Sequence, residues 1–233
     1  MKLQLKSQRL TLLLVSLLFI VSFLLLALFR SSFGTVNADV NSWAASIQTD
    51  SFTVIAKGIS IAFDTNALLV ISLVVSTILF IKHYRRDSVL LLSAMAGDAL
   101  IVAVFKTVIM SPRPWNELIP ETGYSYPSGH VTGSVVFFGV LAYFAWKHWT
   151  SARVKVTTGG LYVAITTLVG FDRIYLNVHW FSDVLGGCLI GVFWLTFSIF
   201  AFQYLISNPR FQGFIKNSEK TEVKCISISK HSI

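Results

Sequence analysis

The chain has 233 residues, 54% hydrophobic and only 13% charged, with a mean hydropathy of +0.68. Soluble domains carry about a quarter charged residues, so this composition excludes an ordinary soluble domain and points to a bilayer. The net charge of +8 would suit nucleic acid, but its placement along the chain reports membrane topology instead and argues for no nucleic-acid partner.

Six apolar runs are long enough, or nearly so, to cross about 30 Å of hydrocarbon. They lie near 10–29, 64–81, 88–105, 131–146, 156–172 and 183–206. The expectation is an all-α fold: a six-helix transmembrane bundle over residues 1–208, followed by a basic cytoplasmic tail over 209–233. Lys2, Lys6 and Arg9 ahead of the first run resemble the start of a signal peptide, and Val36-Asn37-Ala38 loosely resembles a cleavage site. The run exceeds the usual apolar core of about 7–15 residues, so it reads as an uncleaved first span. The next segment, 31–63, spaces Trp43, Ala44, Ile47, Phe52, Ile55 and Ile59 as one or two amphipathic helices in the interface would. The short Lys82–Asp87 connection makes its flanking spans antiparallel neighbours. Lys106 to His130 differs, holding four of the five prolines (Pro112, Pro114, Pro120, Pro127). It cannot be continuous helix, and a long ordered loop between tight hairpins is usually functional. Gly129-x3-Gly133 and Gly187-x3-Gly191 allow close helix approach, within the bundle or at a dimer face.

Basic residues fix the orientation. With a cytoplasmic N-terminus, 14 of the 19 Lys and Arg fall inside: Lys2, Lys6, Arg9, Lys82, Arg85, Arg86, Lys147, Arg153, Lys155 and five in the tail. That is the side the positive-inside rule assigns. Arg30, Lys57, Lys106, Arg113 and Arg173 stay outside, which puts the proline-rich loop there. Cys188 in the last span and Cys225 in the tail imply no disulfide framework and fit no zinc spacing.

Three stretches carry the chemistry: Lys106-x6-Arg113-Pro114, Pro127-Ser128-Gly129-His130, and Arg173-x5-His179-x3-Asp183. His179 and Asp183, four apart, share a face on a helix. The Asp can accept one ring N–H and leave the other nitrogen free to attack; the alternative is a buried polar pair that ties helices together. Ser128 and Gly129 enter the fourth span, where first-turn N–H groups and a hydroxyl suit an anion; Ser128 can equally serve as an N-cap. His130 at that turn is placed to protonate a leaving oxygen. Lys106, Arg113 and Arg173 match a tetrahedral oxyanion, although each alone could be an interfacial anchor. Asp98, an acid inside the third span, could pair with a polar neighbour or support Lys106. His83, His148 and His231 read as ordinary residues. Trp115, Tyr124, Tyr126 and Trp180 read as an interfacial aromatic belt.

In their order and spacing these motifs resemble the type 2 phosphatidic acid phosphatase superfamily, whose signature is Lys-x6-Arg-Pro, Pro-Ser-Gly-His and Ser-Arg-x5-His-x3-Asp. The resemblance covers Lys106 to Asp183. It implies that His179 is a nucleophile forming a phosphohistidine, that Asp183 supports it, and that His130 is the acid for the leaving group. It further implies that Lys106, Arg113, Ser128, Gly129 and Arg173 bind phosphate, with no metal and no cofactor. One departure stands out: Asp172 occupies the position where the family has Ser, where it either pairs with Arg173 or points away. The reading is a lipid phosphatase at the outer leaflet, acting on polyprenyl diphosphate, phosphatidylglycerophosphate or phosphatidate, with a lean to the first. The alternatives are a vanadate-dependent haloperoxidase, whose members are generally soluble, and a non-enzymatic phospholipid-binding or transport protein. Transporters usually carry paired repeats, which this sequence lacks.

Overall fold

The computed structural model describes residues 2–208, and helix is the only regular structure among them. The expected tail, with Cys225 and His231, lies outside the described residues. The helices are α1 Lys2–Leu28, α2 Gly34–Ser46, α3 Asp50–Ala62, α4 Thr65–Ile81, α5 Arg85–Ile109, α6 Gly129–His148, α7 Ala152–Tyr175 and α8 Phe181–Ser207. Five of them (α1, α5, α6, α7 and α8) are long and apolar enough to cross a membrane. The sixth expected span is α4, whose 17 residues reach only about 26 Å at 1.5 Å per residue. It continues α3 through a 49° bend, at Asp64, whose carboxylate accepts the Asn66 and Ala67 N–H groups (2.8 and 3.3 Å) and starts α4 afresh. The chain is thus a multi-pass membrane protein.

α6 is the central post, packed on α5, α7 and α8, while α1 runs along α8 and α4 along α5. Lipid-facing leucines such as Leu10, Leu14 and Leu18 stay exposed on α1, as expected where the surrounding solvent is hydrocarbon. Small residues set the central contact. A side chain at Gly187 would come within 2.9 Å of the Ser128 carbonyl oxygen, and one at Gly191 within 2.8 Å of Val135. The small-residue motifs therefore serve close packing inside the bundle. At the far end of α6, Lys147 and His148 bind the buried Asp87 carboxylate of α5 at 2.5 and 2.6 Å, so His148 has a structural partner.

The two helices expected in the 31–63 segment are α2 and α3, and they lie against α7 and α8. Asn37 of α2 exchanges hydrogen bonds with Ser182 (2.9 Å from the Ser182 N–H to Oδ1, 3.1 Å from Nδ2 to Oγ). Asn41 donates to the His179 carbonyl at 3.1 Å and Gln48 to the Tyr175 carbonyl at 2.7 Å. These helices are thus clamps on the α7–α8 connection as well as interfacial elements. Tyr126 departs from the aromatic-belt expectation. It is fully buried, stacks on Phe23 of α1 at 5.5 Å and lies under the Arg30 guanidinium. Trp115, at 85% exposed, is on the surface.

Candidate active site

Helix alternation gathers the three motifs at one end of the bundle. α5 ends with Lys106, α6 begins beside Ser128 and His130, α7 ends with Arg173, and α8 begins with Asp183 in its first turn. Lys106, Arg113, Gly129, His130 and His179, together with Glu121, line one cavity of about 310 Å³. Its other wall is Asp64, Thr65, Asn66 and Leu69 at the start of α4 with the apolar Ala99, Val102 and Ala103 of α5. A larger cavity of about 720 Å³ lies at the opposite end among α1, α6, α7 and α8, but it holds none of the motif residues.

His179 sits in the α7–α8 connection, and its ring is buried. Nδ1 lies 3.3 Å from Asp183 Oδ2, and Nε2 faces Arg113 Nη1 at 3.5 Å. The Asp183 carboxylate also accepts the Trp180 N–H at 2.9 Å, the acidic half of a capping box. One carboxylate therefore starts α8 and orients the imidazole. Burial, then the charges of Arg113, Lys106 and Arg173, hold the His179 pKa well below 6.5. The ring is neutral at physiological pH, the form that carries a nucleophilic lone pair.

Arg113 is locked by carbonyls: Nη1 donates to Val178 at 2.7 Å, Nε to Gly123 at 3.1 Å and Nη2 to Thr122 at 3.2 Å. Lys106 Nζ donates to the Tyr124 carbonyl. Arg173, fully buried, sets Nη1 3.1 Å from His130 Nε2. Asp172 pairs with Arg173 through Nε at 3.0 Å and through Nη2, so the first of the two readings of this position holds. His130 also has Asp64 Oδ2 at 3.8 Å and a hydrogen bond to the Ser60 backbone.

Ser128 does not act as an N-cap through its hydroxyl. Its Oγ is fully buried and lacks a hydrogen-bond partner among the described residues, an arrangement that costs about 1–3 kcal/mol. Its N–H is taken by the Asp183 carbonyl at 3.1 Å. The hydroxyl, with the first-turn amides of Gly129 and His130 that no intrahelical carbonyl can reach, is left for an anion. Asp98 does not support Lys106: both of its oxygens are buried without a partner among the described residues, near Gly133 of α6.

Sequence reasoning missed three contributors. Glu121 bridges the two arginines, with Oε2 at 3.5 Å from Arg113 Nη2 and Oε1 at 3.3 Å from Arg173 Nη1. Asn37 and Asn41 hold the His179 connection from α2. Their spacing of four, on a helix inferred only from its apolar residues, was the available signal.

Residues 87–207 match the family model of the PAP2 superfamily. The chain belongs to the PAP2 superfamily. Among relatives, phosphatidylglycerophosphatase B of Bacillus subtilis (strain 168) is 29% identical over 184 residues, 76% of this chain and 89% of that protein. Undecaprenyl-diphosphatase of Sulfolobus acidocaldarius is 29% identical over 135 residues, 53% of this chain and 59% of that protein. The crystal structure of the transmembrane PAP2-type phosphatidylglycerolphosphate phosphatase from B. subtilis superposes with a TM-score of 0.72 at 26% identity, covering 79% of this chain and 94% of that one. The PAP2 assignment spans all three motifs and most of the bundle.

Proposed function

We propose that the chain hydrolyses the phosphate or diphosphate group of a membrane lipid through a phosphohistidine, without a metal, at the outer leaflet. The observation that carries this is the oriented, neutral His179 facing Arg113 in a cavity that also presents Leu69, Ala99, Val102 and Ala103. His179 Nε2 donates its lone pair to phosphorus, the bond from phosphorus to the lipid-side oxygen breaks, and His130 protonates that oxygen. Water then attacks phosphorus, His130 takes its proton, and the N–P bond breaks to release inorganic phosphate. Lys106, Arg113 and Arg173, with Ser128 Oγ and the first-turn amides of α6, stabilise the charge gathered on the equatorial oxygens.

A lipid tail along Leu69, Ala99, Val102 and Ala103 supplies remote binding energy that positions phosphorus. Polyprenyl diphosphate is the favoured substrate, ahead of phosphatidylglycerophosphate and phosphatidate. The relatives' names span the first two classes, and an outward site meets carrier lipid after its cargo has left. The test is phosphate release by purified protein in the presence of a chelator, with kcat/KM compared across those three lipids and a water-soluble phosphate. The expected order puts polyprenyl diphosphate first and the soluble compound far behind. Equal values for soluble and lipid substrates would overturn the reading, as would loss of activity on chelation reversed by a divalent ion.

A further inference from the structure

We propose that Glu121 is a built-in competitor for the phosphate seat. Its carboxylate holds the seat as a displaceable anion, which a phosphoryl group anchored by a lipid tail expels at concentrations where a free phosphate does not. The inference rests on the lipid-phosphatase reading and names what competes with the substrate for its site.

The geometry is that of a phosphate mimic. Each carboxylate oxygen takes a different guanidinium, Oε2 that of Arg113 at 3.5 Å and Oε1 that of Arg173 at 3.3 Å. The same Arg113 lies 3.5 Å from His179 Nε2, and the same Arg173 lies 3.1 Å from His130 Nε2. Glu121 thus joins the two cations that flank the two histidines, where two oxygens of a substrate phosphate are expected.

Charge makes the contact competitive. Lys106, Arg113 and Arg173 meet Asp64, Glu121, Asp172 and Asp183 around the cavity, so a phosphate dianion enters a site whose cations are already matched by carboxylates. Of the two carboxylates paired with these arginines, Glu121 is the one placed to leave: its side chain is 22% exposed, against 2% for Asp172. It stands between Pro120 and Gly123, whose φ is +73° and whose surroundings are open. Arg113 keeps its bonds to the Thr122, Gly123 and Val178 carbonyls when the carboxylate swings out, so the seat survives the exchange.

An internal anion imposes the same cost on every incoming phosphate. A ligand with a buried tail offsets that cost with binding energy remote from phosphorus, whereas inorganic phosphate and small phosphate esters have none. Glu121 thereby keeps the seat clear of free phosphate at concentrations where a lipid still fills it, and hastens product release.

The experiment uses Glu121→Gln, which keeps the shape and removes the charge, and Glu121→Asp, whose shorter arm cannot span both arginines. Orthophosphate and vanadate binding to the purified full-length chain is measured by titration calorimetry. In parallel, kcat/KM is measured for an aryl phosphate and for the preferred lipid. Glu121→Gln is expected to bind both anions about tenfold tighter and to raise kcat/KM for the aryl phosphate and for the lipid by similar factors, with Glu121→Asp between it and wild type. Unchanged or weaker anion binding in both variants would overturn the proposal and reduce Glu121 to a spacer between the arginines. Calorimetry needs no turnover, so a wild-type protein that binds anions but cleaves no lipid would refute the lipid-phosphatase reading separately.

Discussion

The imidazole of His179 concentrates the chemistry at the residue scale. Replacing it with Ala should abolish turnover, because no phosphohistidine can then form; burst and steady-state phosphate release check this. Asp183→Asn should retain residual activity, lowered by about 10²–10⁴, since the ring loses its tautomer control while Nε2 stays in place. Thermal stability should fall as well, because the Trp180 N–H loses its charged acceptor. The pH profile follows from the sign of the shift. A His179 pKa held well below 6.5 keeps the ring neutral as the pH falls through 6.5, so protonation removes the nucleophile only in more acid solution. Arg113→Gln deletes one cause of that depression and should move the acid limb of kcat/KM upward. Comparing the two proteins on one aryl phosphate cancels the substrate's own titration. The motif residues were legible because their types and intervals are rare together. Glu121 was not, since a single acid in a proline-rich loop gives no sign of which cations it will meet.

Between elements, the α6–α8 contact ties the site to the bundle. Gly187 packs against the backbone of Ser128, so a side chain there pushes directly on the turn that presents Ser128 and His130. Gly187→Ala should cost about 1–3 kcal/mol of stability, the usual price of overpacking, and lower kcat. A matched substitution at Gly160, where nothing crowds an added methyl, should do neither. Thermal denaturation in detergent with parallel kinetics would distinguish the two positions. The spans themselves were readable from apolar runs, but their ends were not. α7 runs to Tyr175 rather than stopping near 172, because Asp172 and Arg173 pair with each other and stay in the helix instead of ending it. α4, by contrast, runs Thr65–Ile81 as the 64–81 run indicated, started by the local Asp64 cap; only that carboxylate's approach to His130 is tertiary.

At the scale of the whole molecule, the basic residues predict a cytoplasmic N-terminus and an outward proline-rich loop. Single cysteines placed at 82–87 and near Pro120, in a background with both native cysteines replaced by Ser, should respond oppositely to an impermeant reagent in intact cells. Labelling at Pro120 alone is expected; labelling in the 82–87 hairpin alone would reverse the topology. By itself the sequence determined the membrane class and the motif residues that meet around the cavity, and its loop charges predict the direction of crossing. Each is written in local composition, in charge asymmetry between loops or in fixed intervals along one chain. Tertiary structure alone decided which groups meet: Asn41 on the His179 carbonyl, Tyr126 against Phe23 in the core, and Glu121 on Arg173. Those contacts join segments dozens of residues apart, and packing geometry, rather than any periodicity a single segment can display, sets them.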